Sequence, residues 1–157
     1  MCAVGWMPCS GLDEYDGVVW LPRLIQKARR AEEGRRSGSD MMNGYFYGNN
    51  DYIDEQVLQF LHVDDSVVSA LVAQQLDDGE VARILTERSG RTSEERRTFS
   101  ERLKRRLGNF ALMEADERRM PPGPKRSALA FLYNGILMRL FNAQYRSAEK
   151  RRSSASP

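Results

Sequence analysis

The sequence VVWLPRLIQKARR at residues 18–30 decides the fold class, because its side chains repeat with the period of a helix. The apolar side chains share one face: Leu21, Leu24, Ile25 and Ala28. The polar and basic side chains share the other: Arg23, Gln26, Lys27 and Arg30. Pro22 suits a first helical turn, where the N–H that proline lacks has no partner within the helix. The stretch therefore predicts an amphipathic α-helix that ends near Gly34.

Downstream of this helix, capping side chains precede short runs with helical spacing. The expected caps are Asn50 or Asp51, Asp64, Asp77 or Asp78, and Thr92 paired with Glu95 in a capping box. We expect the helix after Asp51 to end near His62 and the helix after Asp77 to end before Gly90. In the helix after Thr92, Phe99, Leu103 and Leu107 recur at every fourth position. Between the first two helices, Tyr45–Tyr47 suggests a short extended segment.

The C-terminal part of the chain predicts a hydrophobic helix behind a proline-rich linker. The sequence pattern divides the chain into a flexible N-terminus at 1–15, a helical domain at 16–119, a linker at 120–126, a helix at 127–148 and a disordered basic tail at 149–157. The helix at 127–148 is apolar on most of its surface, so we expect it to be buried. No repeat or sustained strand alternation is visible, which predicts an all-α helical bundle.

Composition favours a soluble, cytoplasmic, globular protein. Hydrophobic residues make up 41% and charged residues 29% of the 157 residues. Two cysteines, Cys2 and Cys9, form neither a disulfide framework nor a metal-binding spacing. The apolar run at 128–141 is shorter than the roughly 20 residues of a membrane span. The charges are segregated: residues 51–80 hold eight acids and no Lys or Arg, whereas residues 83–106 hold nine bases and four acids.

The residues GVVWLPRLIQKAR at 17–29 resemble the opening signature of a bacterial family described as domain of unknown function 5069. Three further stretches resemble features of that family. The segment at 45–50 is similar to its glycine-rich, tyrosine-containing segment, residues 51–87 to its hydrophobic acidic helix pair, and ADER at 115–118 to its acidic D-E-G-R ending. The chain departs from the family pattern at two positions. Gln26 stands where the family usually has an acid, and Arg119 follows Arg118 where the D-E-G-R ending would place its glycine and arginine one step differently. The resemblance covers about residues 16–119 and implies no reaction, because the family has no assigned activity.

The residues offer little support for an enzyme. His62 is the single histidine, so neither a Ser-His-Asp triad nor a histidine-based zinc site can be assembled in the usual way, and we expect it to be a helix-end residue. Asp116 and Glu117 point about 100° apart on a helix, which favours a solvated or salt-bridged role over acid–base catalysis. Neither common phosphate-binding loop motif occurs. We therefore expect no cofactor, no metal and, on balance, no catalysis.

A ligand site is the sharper hypothesis for the first helix. A helix start, two turns of cations and nearby aromatic rings are suited to a small anion. The candidate ligand-binding residues are Trp20, Arg23, Lys27, Arg30, Tyr45 and Tyr47. The alternative interpretation is a solvated basic face with Trp20 in the core. An enzyme or anion-binding domain with a pocket here is one functional possibility.

Two other functions follow from charge and hydrophobicity. The arginine-rich helix at 96–106 can bind nucleic-acid phosphates, although a solvated arginine face is the more common role. The helix at 127–148 can pack on its own domain, contact a protein partner or associate with a second copy. We favour a non-catalytic binding or protein-interaction module that acts through this helix, and we regard nucleic-acid binding as a remote alternative.

Overall fold

The computed structural model describes residues 5–106, 108–137 and 139, and within them it confirms the all-α prediction. The helices are α1 Leu21–Ser37, α2 Tyr52–Leu61, α3 Asp65–Ala73, α4 Asp78–Ser89, α5 Ser93–Arg106, α6 Gly108–Asp116 and α7 Pro124–Leu132. A 3₁₀ turn covers Gly48–Asn50, and a π-helical segment, Tyr133–Leu137, follows α7. Two short antiparallel strands precede α1, with β1 at Glu14–Tyr15 and β2 at Val18–Val19. Tyr45–Tyr47 is not a strand, although Tyr47 has extended backbone angles.

Helix α1 starts as predicted and runs past its predicted end. Trp20, with a left-handed φ of 74°, precedes the helix, and its N–H donates to the Asp13 carbonyl. The helix continues through Gly34 to Ser37, where Gly38 closes it with a φ of 67°. A Cβ at Gly34 would lie 2.7 Å from the Ser39 carbonyl oxygen. Glycine at this position therefore allows the chain to turn back against the helix instead of ending it.

The predicted capping residues are found at the starts of the helices. The Asp51 carboxylate accepts hydrogen bonds from the N–H groups of Ile53 and Asp54, and the Asp77 carboxylate accepts one from Glu80. Asp64 precedes α3 without a side-chain capping bond. Thr92 and Glu95 form the reciprocal capping box, with bonds of 3.2 Å and 2.8 Å. These local bonds explain why the helix starts are readable from sequence.

The helices divide into two compact units, Met1–Arg106 and Leu107–Pro157. In the first unit α1 packs on α3 and α4, α2 packs on α4, and α5 packs on β2. Its core contains Val18, Trp20, Leu21, Leu24, Ile25, Val57, Leu58, Leu61, Val68, Val81, Leu85, Phe99 and Leu103. The Phe60 and Phe99 rings stack 4.0 Å apart, which ties α2 to α5. Leu107 of the predicted α5 repeat lies outside the described residues.

The second unit is built from α6, α7 and the π-helical segment, which contact one another. Helix α7 begins at Pro124, ahead of the predicted start at Ser127, because proline is well suited to a first helical turn. None of the residues of α7 is buried, so the expected burial of this helix against its own domain is not seen in its described part, and burial against a second copy stays a prediction. The part of the predicted helix beyond residue 139 lies outside the described residues.

Candidate functional site

A buried ion pair joins α1 to α2 at the site predicted from the first helix. The Lys27 ammonium lies 2.6 Å from Asp54 Oδ1 and 3.1 Å from Asp51 Oδ2. The Lys27 and Asp54 side chains are 1% and 0% exposed. Lys27 is therefore not part of a solvated basic face. Its apolar stem lies in the core, and its charge meets the first turn of α2.

The Asp54 carboxylate is bound on both oxygens. Its Oδ1 also accepts a hydrogen bond of 2.7 Å from the Trp20 indole N–H, and its Oδ2 accepts one of 2.9 Å from the Gly48 N–H. Burial raises the pKa of Asp54 to about 6, in opposition to the positive charge of Lys27, which lowers it. Asp54 thus connects α1, α2 and the 3₁₀ turn at one buried point.

Arg23 lies one turn before Lys27 and is also buried, so the solvated-face interpretation is wrong for it as well. Its guanidinium carbon is 5.0 Å from the Trp20 ring centre and 5.2 Å from the Tyr45 ring centre, between the two aromatic rings. One of its N–H groups donates a 2.7 Å hydrogen bond to the Cys9 carbonyl. The N-terminal segment therefore contacts the face of α1 that the helical pattern alone assigns to solvent.

Arg30 extends the same arrangement along α1. It lies 5.5 Å from the Trp6 ring centre and donates to the Met41 carbonyl and to Glu33. Trp6 in turn packs edge-on against Tyr45, with ring centres 5.8 Å apart. Trp20, Arg23, Tyr45, Trp6 and Arg30 thus form a series of contacts in which aromatic rings and guanidinium groups meet; we call it the aromatic–cation ladder.

The structure brings together all the predicted site residues except Tyr47. The Tyr47 hydroxyl donates to the Asp65 carbonyl at 2.8 Å and lies 3.1 Å from Ser69 Oγ, so this side chain binds α3. Burial raises its pKa. The aromatic spacing in the sequence does not separate the two tyrosines, whereas in the structure Tyr45 lies beside Arg23 and Trp6 and Tyr47 lies beside α3.

Sequence reasoning did not assign Asp51, Asp54, Trp6 or Cys9 to this site. Asp51 is the predicted cap of α2, and Asp54 lies in the first turn of that helix. Their spacing of i, i+3 places them on one helical face, and this signal was available for a shared cation. Trp6 and Cys9 lie in the predicted flexible N-terminus, where no periodicity marks a contact.

The chemistry available to this site is limited by its internal pairing. Lys27 is held by two carboxylates and covered from solvent, so it is not exposed as a nucleophile, a base or an anion receptor. Within the described residues, no group of His, Cys, Asp and Glu is arranged to hold a metal ion. His62 ends α2 as predicted, and its Nε2 lies 2.6 Å from an Arg91 guanidinium nitrogen.

The arginine-rich helix α5 carries its own counter-charges. Arg97 pairs with Glu94 at 2.7 Å, and Lys104 lies 3.5 Å from Glu14. A shallow groove on this helix is lined by Arg97, Thr98, Glu101, Arg102 and Arg105. The acids interleaved with these bases reduce the attraction for a phosphate backbone.

The second unit exposes three large apolar side chains within six residues of one another. On α7 and the π-helical segment, Phe131, Leu132 and Ile136 are 71%, 44% and 49% exposed. At the other end of this unit Glu117 is buried and pairs with Arg119 at 3.0 Å, as the salt-bridged interpretation expects. None of the described helices combines the length and the apolar character needed to cross a membrane.

Comparison with known proteins yields one match. Residues 6–120 match the model of a family described as Domain of unknown function (DUF5069), which confirms the resemblance seen in the sequence. The match starts ahead of the helical signature and includes the N-terminal residues that contact α1. No curated protein and no solved structure matches the chain.

Proposed function

Since the chain belongs to the DUF5069 family, whose description assigns no activity, we propose from its surfaces that it is a non-catalytic protein-interaction module. The observation that supports this proposal is the exposed apolar surface of α7 and the π-helical segment. Large apolar side chains grouped on one short element mark contact sites more often than scattered ones do. Phe131, the most exposed of them, carries the largest apolar area.

The ion pairs of the first unit favour this function over the alternatives. An anion at the Trp20–Arg30 helix would have to displace the Asp51 and Asp54 carboxylates from Lys27. A nucleic acid at α5 would meet Glu94 and Glu101 among the arginines. By contrast, Phe131 and Leu132 of α7 are exposed, and covering them gains about 25 cal/mol per Å² of apolar surface.

Site-specific photo-cross-linking in cells tests the proposal. A benzophenone amino acid replaces Ala128, an exposed residue of α7, and in a matched control it replaces Ser66, an exposed residue of α3. We expect a protein adduct of discrete mass at position 128 that is lost when Phe131 and Ile136 are both changed to Ser. The proposal fails if position 128 gives no adduct, or if position 66 gives the same adducts.

A further inference from the structure

Exposed residues of α7 and of the π-helical segment that follows it recur along one side at intervals of three or four positions. The row consists of Lys125, Ala128, Phe131 and Leu132 of α7, Ile136 of the π-helical segment and Arg139 beyond it, and all six are exposed. The opposite side of α7 includes half-buried Leu129 and Ala130, and α7 packs on α6. We call the six exposed residues the α7 stripe. It is the face of this helix that a partner can reach.

The stripe has an apolar centre with a cation at each end. At a rise of at most 1.5 Å per residue, the distance from Lys125 to Arg139 along the stripe is up to about 20 Å. Its centre is formed by Ala128, Phe131, Leu132 and Ile136, and its ends are the exposed cations Lys125 and Arg139. The surrounding sequence contains no Asp or Glu from Arg118 to Ala148. No local acid in this stretch of sequence is available to offset the two cations.

The charges argue against two copies meeting through this face. A two-fold axis would pair α7 with α7 in one of two ways. In an antiparallel pair Lys125 of one copy lies near Arg139 of the other, and in a parallel pair each cation lies near its own equivalent. Both arrangements bring like charges together beside an apolar contact that excludes water. The acidic helices at 51–80 are no better match, because Tyr52 is the sole large apolar side chain exposed in that fully described segment.

The same pattern differs from that of a helix lying on a membrane. Interfacial helices carry Lys and Arg along the polar face opposite the apolar one. In α7 the side opposite the stripe includes half-buried Leu129 and Ala130, and the cation on that side, Arg126, is itself half-buried and donates to the Met120 carbonyl. The two cations of the stripe lie at its ends. Apolar anchors at three- and four-residue spacing, as in the stripe, are typical of helix-to-helix docking.

From the apolar centre of the α7 stripe and the cation at each of its ends, we propose that it binds an amphipathic helix of another protein. The partner helix has an apolar face, with Asp or Glu near both ends of that face. The inference rests on the proposed function and adds the chemistry of the partner. Phe131, Leu132 and Ile136 supply the apolar contact, while Lys125 and Arg139 select acidic partners and set their position.

Fluorescence anisotropy with designed peptides tests this inference on the full chain. The probe is a labelled helix of about 18 residues, with Leu on one face and Glu on the flanks, and the matched control has Lys in place of every Glu. We expect the acidic peptide to bind at least about tenfold more tightly than the basic one, with a preference that falls as salt rises. Changing Phe131 and Ile136 to Ser abolishes binding of both.

A charge-reversed variant makes the test specific. Changing Lys125 and Arg139 to Glu leaves the apolar centre intact and is expected to reverse the preference, so that the basic peptide binds more tightly. Equal binding of both peptides, or no binding of either, overturns the inference. So does Phe131-dependent binding to vesicles with about 30% phosphatidylserine, or a Phe131-dependent dimer in sedimentation, if the acidic peptide does not bind.

The two experiments separate this inference from the proposed function. A specific cross-link at position 128 without acidic-peptide binding contradicts the partner chemistry and leaves the interaction module in place. If neither a specific cross-link at position 128 nor binding of the acidic peptide is observed, both proposals are overturned.

Discussion

The Lys27 ammonium is held by two carboxylates in the interior, so its removal leaves Asp54 buried and without its closest cation. Breaking such a pair on one side costs about 3–5 kcal/mol, because the remaining charge keeps its desolvation penalty. We expect Lys27→Met to lower the free energy of unfolding by that amount in urea titration. Lys125→Met makes the same chemical change on the exposed surface of α7 and should change it by about 0.5 kcal/mol or less. Similar losses in the two variants would contradict the buried pair.

Asp54 also gives the fold a pH dependence of unusual sign. Burial raises its pKa in the folded state to about 6, from an ordinary value of 3.8. Between these values the folded state holds more protons than the unfolded state, so this residue makes stability fall as pH rises from about 4 to 6. The carboxylates of Glu32 and Glu95, whose pKa values are lowered, act in the opposite sense below about pH 4.5.

A comparison with Asp54→Asn isolates this contribution. The unfolding free energy of the wild type minus that of the variant is expected to decrease between pH 4.5 and 7. Urea titrations of both proteins at several pH values measure this difference. The contributions of Glu32 and Glu95 to the unfolding free energy are the same in both proteins, so they cancel when one value is subtracted from the other. A difference that stays constant or increases over this range would contradict a raised pKa for Asp54.

Single residues also show where sequence reasoning stops. Helical periodicity correctly groups Arg23 with Lys27, but it reports only which residues share a face. It does not show that Asp54, about thirty positions later, or the carbonyl of Cys9 will cover that face. Trp20, a candidate ligand-binding residue, is buried as the alternative interpretation expects, because a large apolar ring is rarely left in water.

At the scale of elements, the ribbon formed by β1 and β2 is hydrogen-bonded to α5 through the Ser100 hydroxyl group. Ser100 Oγ accepts a 2.9 Å hydrogen bond from the Val19 N–H and donates one of 2.7 Å to the Gly17 carbonyl. Ser100→Ala leaves the buried Val19 N–H and the half-buried Gly17 carbonyl without this partner, which costs about 1–3 kcal/mol. We expect that loss in urea unfolding, whereas Ser66→Ala, on the exposed side of α3, should be nearly neutral. If Ser100→Ala leaves the unfolding free energy unchanged, another group forms hydrogen bonds with the Val19 N–H and the Gly17 carbonyl in the variant.

The helices were more predictable than the segments between them. The caps at Asp51, Asp77 and Thr92 are local hydrogen bonds between near neighbours, so the sequence pattern contains the whole interaction. The end of α1 depends instead on the return of the chain at Ser39, and the ribbon depends on Ser100, some eighty positions away. Such contacts leave no periodic signal, which explains why the helix was predicted too short and the strands were not predicted.

At the scale of the whole molecule, the buried residues are unevenly distributed between the elements. Residues of α1 to α5 form the core of the first unit, whereas α7 has no buried residue. The apolar composition of residues 127–148 predicted burial, because composition does not distinguish an apolar face that packs within the chain from one that contacts a partner. The domain boundaries at 16–119 and 127–148 remain proposals.

The uneven burial can be tested by making the same substitution at a buried and at an exposed phenylalanine. Phe99 is buried and stacked on Phe60, while Phe131 is 71% exposed. Phe99→Ala removes core packing and should cost about 3–5 kcal/mol in urea unfolding. Phe131→Ala removes surface that is already hydrated, so we expect a change of about 0.5 kcal/mol or less. If Phe131→Ala costs as much as Phe99→Ala, then α7 is packed within the chain in solution, and no surface remains there for a partner. If Phe131→Ala leaves the unfolding free energy unchanged but lowers the yield of the cross-linked adduct at position 128, the Phe131 ring contributes to binding and not to folding.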